Sequence, residues 1–184
     1  MGVSNTIGFL ELNSIARGIY AADAMLKAAE VELLRASTNC PGKYNILISG
    51  DVAAVNTAVE VGAECGGPNV IEQLVIARLH PQVIRGINCS IMPDELNAVG
   101  VLECFSITSS ILAADSAVKA SNVTLIDVRL GTGLGGKSFV VLTGDTASVT
   151  EAVERGAAAV SENGMLLSKV VIPHPRKEIF EAIL

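Results

Sequence analysis

The sequence predicts an α+β protein made of two tandem ferredoxin-like βαββαβ domains, residues 1–92 and 93–184. Two observations carry this. The chain repeats itself, and within each copy short β-branched runs alternate with segments whose apolar residues recur every three or four positions. Ile7-Gly-Phe-Leu-Glu11 returns as Val99-Gly-Val-Leu-Glu103, 92 positions on, and Ala21-Ala-Asp-Ala-Met-Leu-Lys27 returns as Ala113-Ala-Asp-Ser-Ala-Val-Lys119. Later pairs, Gly50-Asp51 with Gly144-Asp145 and His80-Pro81 with His174-Pro175, lie 94 apart. The second copy therefore carries two extra residues between its second and third strands.

The first strand is Ile7–Leu12. Asn13 or Ser14 offers an N-cap to the helix that follows. Its apolar residues Ile15, Ile19, Ala22 and Leu26 fall at helical spacing, and the second copy has Ile107, Ile111, Ala114 and Val118 there. Strand two, Val31–Ala36, leads through a loop to strand three, Tyr44–Ser49. Asp51 is placed to cap a second helix with Val55, Ala58, Val59 and Gly62 directed inward; the small residues allow close approach to a sheet. Strand four is Leu74–Leu79, and a short helix begins after Pro81. Met92-Pro93-Asp94-Glu95 links the copies. The order βαββαβ lays helices on an antiparallel sheet.

Composition narrows the function. Half of the 184 residues are hydrophobic, yet aromatics make up only 3% and there are 17 glycines. Apolar content in small side chains suits burial against other subunits. A net charge of −6 with no basic stripe argues against nucleic acid as a partner. No apolar run approaches the ~20 residues of a membrane helix, and the N-terminus has no charged region or cleavage site of a secretory signal. Met1-Gly2-Val-Ser-Asn-Thr6 matches the short myristoylation pattern, but Ile7 onward reads as a packed strand. Cys40, Cys65, Cys89 and Cys104 form no C-x-x-C pair and no disulfide framework, which fits a reducing cytoplasm.

Gly131-Thr-Gly-Leu-Gly-Gly-Lys-Ser138 matches the phosphate-loop pattern G-x-x-x-x-G-K-[ST] letter for letter. That chemistry needs a helix N-terminus directly after the loop. Phe139-Val-Val-Leu-Thr143 followed by Gly144-Asp145 reads instead as a strand closed by a turn. The repeat agrees: the loop aligns with Ser37-Thr-Asn-Cys-Pro-Gly-Lys43, so both are inter-strand hairpins. Catalysis has little support elsewhere. The two histidines occupy matching positions, and Glu11 and Glu103 are repeat-related strand residues rather than a carboxylate pair.

The pattern Ile7-Gly-Phe-Leu-Glu-Leu12, Ser14 through Ala29, Gly50-Asp51 and Ala58 through Gly62 resembles the shell-protein domain of bacterial microcompartments. Two such domains in tandem resemble the trimeric class of that family, and Arg129-Leu-Gly-Thr-Gly-Leu134 is similar to the pore loop of its hexameric members. Cys40-Pro-Gly-Lys43 resembles the iron–sulfur subtype from propanediol-utilisation microcompartments. The resemblance implies a homotrimer whose six domains form a pseudohexagonal tile. Tiles would lie edge to edge with other shell proteins in the shell of a cytoplasmic compartment. The inter-strand loops would line a central pore: Asn39, Cys40, Pro41 and Gly42 from the first copy, Gly131, Thr132, Gly133 and Leu134 from the second.

A free cysteine is most often a small buried apolar side chain. Cys40 instead sits in a turn, and three-fold symmetry would bring three copies to one axis. Three thiolates form a soft site suited to an iron–sulfur cluster, with one iron of a 4Fe–4S cluster left to another small ligand. One cluster per trimer would exchange electrons with a redox enzyme or flavoprotein partner. Zinc on three thiolates lacks a supporting histidine nearby. Cys65, Cys89 and Cys104 look structural. Lys27 and Lys119 resemble the lysine that the family uses at tile edges, and Asp23 and Asp115 stand four residues before them as i,i+4 partners. The family often has arginine where His80 and His174 precede proline. Two rival readings remain: a metal-free gated pore for metabolites or cofactors, and a nucleotide-binding enzyme using Gly131–Ser138.

Overall fold

The computed structural model describes residues 6–88, 93, 97–131 and 134–179. The chain forms two compact units, Met1–Leu79 and His80–Leu184. The first contains β1 (Thr6–Leu12), α1 (Ile15–Ala28), β2 (Val31–Asn39), β3 (Lys43–Gly50), α2 (Val52–Gly66) and β4 (Val70–Ile76). Its sheet has the order β2-β3-β1-β4 with antiparallel neighbours throughout. Ser14 caps α1, its hydroxyl accepting from the Arg17 N–H. The helices close over one sheet face on a core of Leu10, Leu12, Met25, Ile46, Ile48, Val55 and Val59. Val55, Ala58, Val59 and Gly62 all point inward, as their spacing predicts.

Four local expectations are corrected. β4 starts at Val70, four residues before the predicted strand, because the turn Gly67–Asn69 releases the chain early and Val70 pairs with Leu12. β2 runs on to Asn39, which pairs with Lys43 across a tight turn. Asp51 precedes α2 but makes no side-chain cap. The inward face of α1 is Gly18, Ala21, Ala22 and Met25, while Ile15, Ile19 and Leu26 are exposed. Close packing explains the last: a Cβ on Gly18 would lie 2.5 Å from Tyr44, so at that turn of α1 only glycine fits against the sheet.

The second unit contains α3 (Pro81–Ile87), β5 (Ala98–Cys104), α4 (Ile107–Ala120), β6 (Thr124–Arg129), β7 (Ser138–Gly144), α5 (Thr146–Ser161) and β8 (Leu166–Ile172), with sheet order β6-β7-β5-β8. Strand register repeats the first unit closely. Both edge strands bulge at the same place, between Leu33 and Arg35 in β2 and between Leu125 and Asp127 in β6. Ser106 and Asp145 cap α4 and α5 through Ser109 N–H and Ser148 N–H. Here Ile107, Ile111, Ala114 and Val118 are all buried. α3 packs on β6 and α4 within this unit. Of the expected linker, Met92, Asp94 and Glu95 lie outside the described residues. Among the described residues no helix is long and apolar enough to cross a membrane.

Candidate functional site

The two repeat-related hairpins, β2–β3 and β6–β7, hold the predicted loop residues. In the first unit Cys40, Pro41 and Gly42 form the whole connection, and the Gly42 N–H donates to the Asn39 carbonyl at 2.9 Å. Gly42 adopts φ 84°, a conformation that favours glycine, with open space where a Cβ would stand. Cys40 is exposed at the tip. Asn39, directly before it, is buried, and neither its amide oxygen nor its nitrogen finds a hydrogen-bond partner. A buried amide of this kind is ordinarily satisfied by ordered water or by a group outside the single chain.

Cross-strand pairing places Asn39, Lys43, Asn45 and Glu11 on one sheet face, opposite the core residues Leu10, Leu12, Ile46 and Ile48. The Glu11 side chain is 1% exposed and forms an ion pair with Lys43 at 3.0 Å. Burial raises its carboxyl above the usual range; Lys43 opposes this and the Glu72 charge adds to it. A carboxyl raised in the folded state binds its proton more readily folded than unfolded. Its contribution therefore falls as pH rises from the unfolded value, near 4.5, through the raised folded value. Glu11→Gln is expected to remove that loss: denaturation midpoints should exceed wild type at neutral pH and converge with it in acid. A variant less stable than wild type at neutral pH would show that the Lys43 attraction outweighs desolvation. Sequence reasoning missed this pair. Its signal was available, since both Glu and Lys recur in the repeat.

In the second unit Gly131 is buried and Leu134 half-buried, while Thr132 and Gly133 lie outside the described residues. Gly131, Gly135 and Gly136 adopt φ 69°, 62° and 88°. Lys137 bonds to Glu103 at 2.9 Å, as Lys43 pairs with Glu11, but this pair is largely solvated. Ser138 opens β7, not a helix. Its buried hydroxyl donates to the Ser106 carbonyl at 2.5 Å and meets the Ser110 hydroxyl at 2.6 Å. The serine and lysine of the phosphate-loop pattern are thus occupied within the fold. Calorimetric titration with magnesium ATP is expected to show no saturable binding; binding that Lys137→Ala abolishes would contradict this geometry.

Cys104 is buried and burial raises its thiol, Cys65 is half-buried, and Cys89 lies outside the described residues. Among the described residues no three His, Cys, Asp or Glu converge on a possible metal position. Any site of several thiolates built on Cys40 must draw on more than one chain. Lys27 and Lys119 each pair with the aspartate one turn earlier, Asp23 and Asp115, as the spacing predicts.

The BMC domain family matches twice, at residues 6–79 and 98–175. The chain is 41% identical over 182 residues to the bacterial microcompartment shell protein PduT of Citrobacter freundii, covering 99% of both. The crystal structure of a microcompartments protein from Desulfitobacterium hafniense DCB superposes with a TM-score of 0.90 at 50% identity, covering 96% of this chain and 98% of that one. The fused permuted hexameric shell protein of the RMM microcompartment shares the fold alone, with a TM-score of 0.64 at 23% identity over 85% of this chain and 81% of that one. With two copies of one domain, a duplicated sheet register and full-length relatives of the same kind, the chain belongs to the bacterial microcompartment shell proteins.

Proposed function

We propose that the protein is a homotrimeric, non-catalytic shell tile that holds one iron–sulfur cluster between the Cys40 residues of three copies. The observation that carries this is asymmetric. Of two repeat-related hairpins, one presents an exposed thiol on a three-residue turn and the other presents glycines. The donor set fits the group. Thiolate sulfur suits iron, and the site needs one donor from each chain. The space around Gly42 leaves room beside the thiol, and the orphaned Asn39 amide offers a hydrogen-bonding group next to it. When bound, such a cluster would exchange single electrons across the shell, with a redox enzyme or flavoprotein as its partner. The chain's own part is to hold Cys40 at the end of a paired β-hairpin, fixed by the Asn39–Lys43 pairing and the Lys43–Glu11 contact.

Iron, sulfide and electron paramagnetic resonance measurements on anaerobically purified protein test this. About four iron atoms per trimer are expected. A metal-free trimer that reconstitution leaves unchanged would overturn the cluster and favour a metal-free gated pore, a reading supported by the positive-φ glycines of the second loop.

A further inference from the structure

Both units pair a carboxylate with a lysine at the foot of the hairpin, yet only the first buries the carboxylate. Strand register sets Glu11 beside Asn45 on β3 and Glu72 on β4, and sets Glu103 beside Phe139 and Ser168. The Glu11 side chain is 1% exposed and that of Glu103 36%. In the second unit Phe139 carries the Arg129 guanidinium 5.7 Å from its ring centre. In the first, Asn45 is buried in its place. Neither Asn45 Oδ1 nor Glu11 Oε2 finds a hydrogen-bond partner among the described residues, while Lys43 lies 3.0 Å from Glu11 Oε1. The charged groups that act on Glu11 are Lys43 from β3 and Glu72 from β4. Burial with one oxygen unpartnered disfavours the charged form, and a proton on Oε2 relieves it.

The copy that buries this carboxyl is also the copy whose hairpin ends in Cys40. Glu11 pairs with Asn45, and Lys43, two residues nearer the tip, pairs with Asn39. Strand spacing puts the carboxyl on the order of 10 Å from the Cys40 turn. We propose that Glu11 takes up a proton when the Cys40 site takes up an electron, so that the tile moves the two together. The proposal rests on the cluster reading of Cys40. One electron from the redox enzyme or flavoprotein partner, which is thereby oxidised, reduces cluster iron. The Glu11 carboxylate gains an O–H bond at Oε2, its proton drawn from water, and reoxidation releases both. The cause is Coulombic: added negative charge favours the neutral form of a nearby carboxyl, and the coupling is reciprocal. At about 10 Å and an effective dielectric of about 20, electron and proton favour one another by roughly tenfold. Salt screens a buried carboxyl weakly. Burial has already moved Glu11 upward from 4.5, with Lys43 opposing and Glu72 adding to the shift.

Spectroelectrochemical titration of the anaerobically purified protein, from pH 4.5 upward, tests this. Well below the folded value Glu11 is neutral in both redox states, and well above it charged in both. The wild-type midpoint potential is therefore expected to fall as pH rises, from an acid to an alkaline plateau. The plateaus should differ by roughly tenfold in the redox equilibrium, about 59 mV for one electron. Glu11→Gln, which fixes a neutral side chain, should hold the acid value at every pH. Glu103→Gln should behave as wild type. Glu72→Gln should move the fall to lower pH, because the Glu72 charge raises Glu11. That variant keeps Glu11 itself and so decides the matter if Glu11→Gln loses its cluster. Wild type without a cluster sinks the cluster reading and this proposal together. A cluster whose potential ignores pH, keeps its pH dependence in Glu11→Gln, or shows the same fall in Glu72→Gln overturns the proposal alone.

Discussion

Cys40→Ser is expected to reduce bound iron from about four atoms per trimer to near zero and leave the trimer intact. The argument separates binding from folding. The side chain is exposed on a three-residue turn, so its loss should change stability by no more than about 0.5 kcal/mol. The hairpin is held by other residues, Asn39, Lys43 and Glu11. A hydroxyl keeps the size of the thiol but is a poor ligand for iron. Iron analysis, the low-temperature resonance signal and molar mass should be measured on the same sample. Iron retained in the variant would move the site away from Cys40. Loss of the trimer together with the iron would indicate that the metal drives assembly rather than occupying it.

The second large effect concerns packing. Gly156→Ala should destabilise the protein by about 1–2 kcal/mol, lowering the melting temperature by roughly 2–8 °C. Alanine in a helix interior gains about 1 kcal/mol over glycine. Here a Cβ would lie 2.6 Å from Leu102 and 2.9 Å from the Ala113 backbone carbonyl, which belongs to α4 and cannot move alone. Overpacking of this kind costs about 1–3 kcal/mol and more where backbone must shift. The repeat supplies its control. At Gly62 the new Cβ meets Met25 at 2.5 Å, a flexible side chain that can turn away. Gly62→Ala should therefore stay within about 1 kcal/mol of wild type. Thermal unfolding of both variants decides the matter, and Gly62→Ala proving the more damaging would refute this account of the helix approach.

Much of the fold was legible because it is written twice. The offsets of 92 and 94 matched the first strand and the first helix of the two copies and placed the extra residues in the second hairpin. They also turned a letter-perfect phosphate loop into a hairpin, as Ser138 at the head of β7 bears out. Periodicity failed where two faces of one helix are both apolar. Ile15, Ile19 and Leu26 form a stripe as convincing as the true inward one, but the space over the sheet admits only glycine, alanine and methionine. The same stripe is buried in α4, so the sequence pattern was shared and the surroundings differed. The Glu11–Lys43 pair was hidden for another reason: its partners are 32 positions apart and meet only through strand pairing.

The unlike hairpin tips have a consequence for how such a protein can change. Suppose a ring were built from six identical one-domain chains. Any substitution in a loop would then appear six times around the axis, and nothing could be placed there in threes. Joining two copies of the gene end to end releases that constraint. In a ring of three such chains a single codon would set three of the six positions, while the other three kept their own history. One copy could acquire the thiol of Cys40 while its sister lengthened into glycines. Neither change required the sheets beneath to give up their shared register.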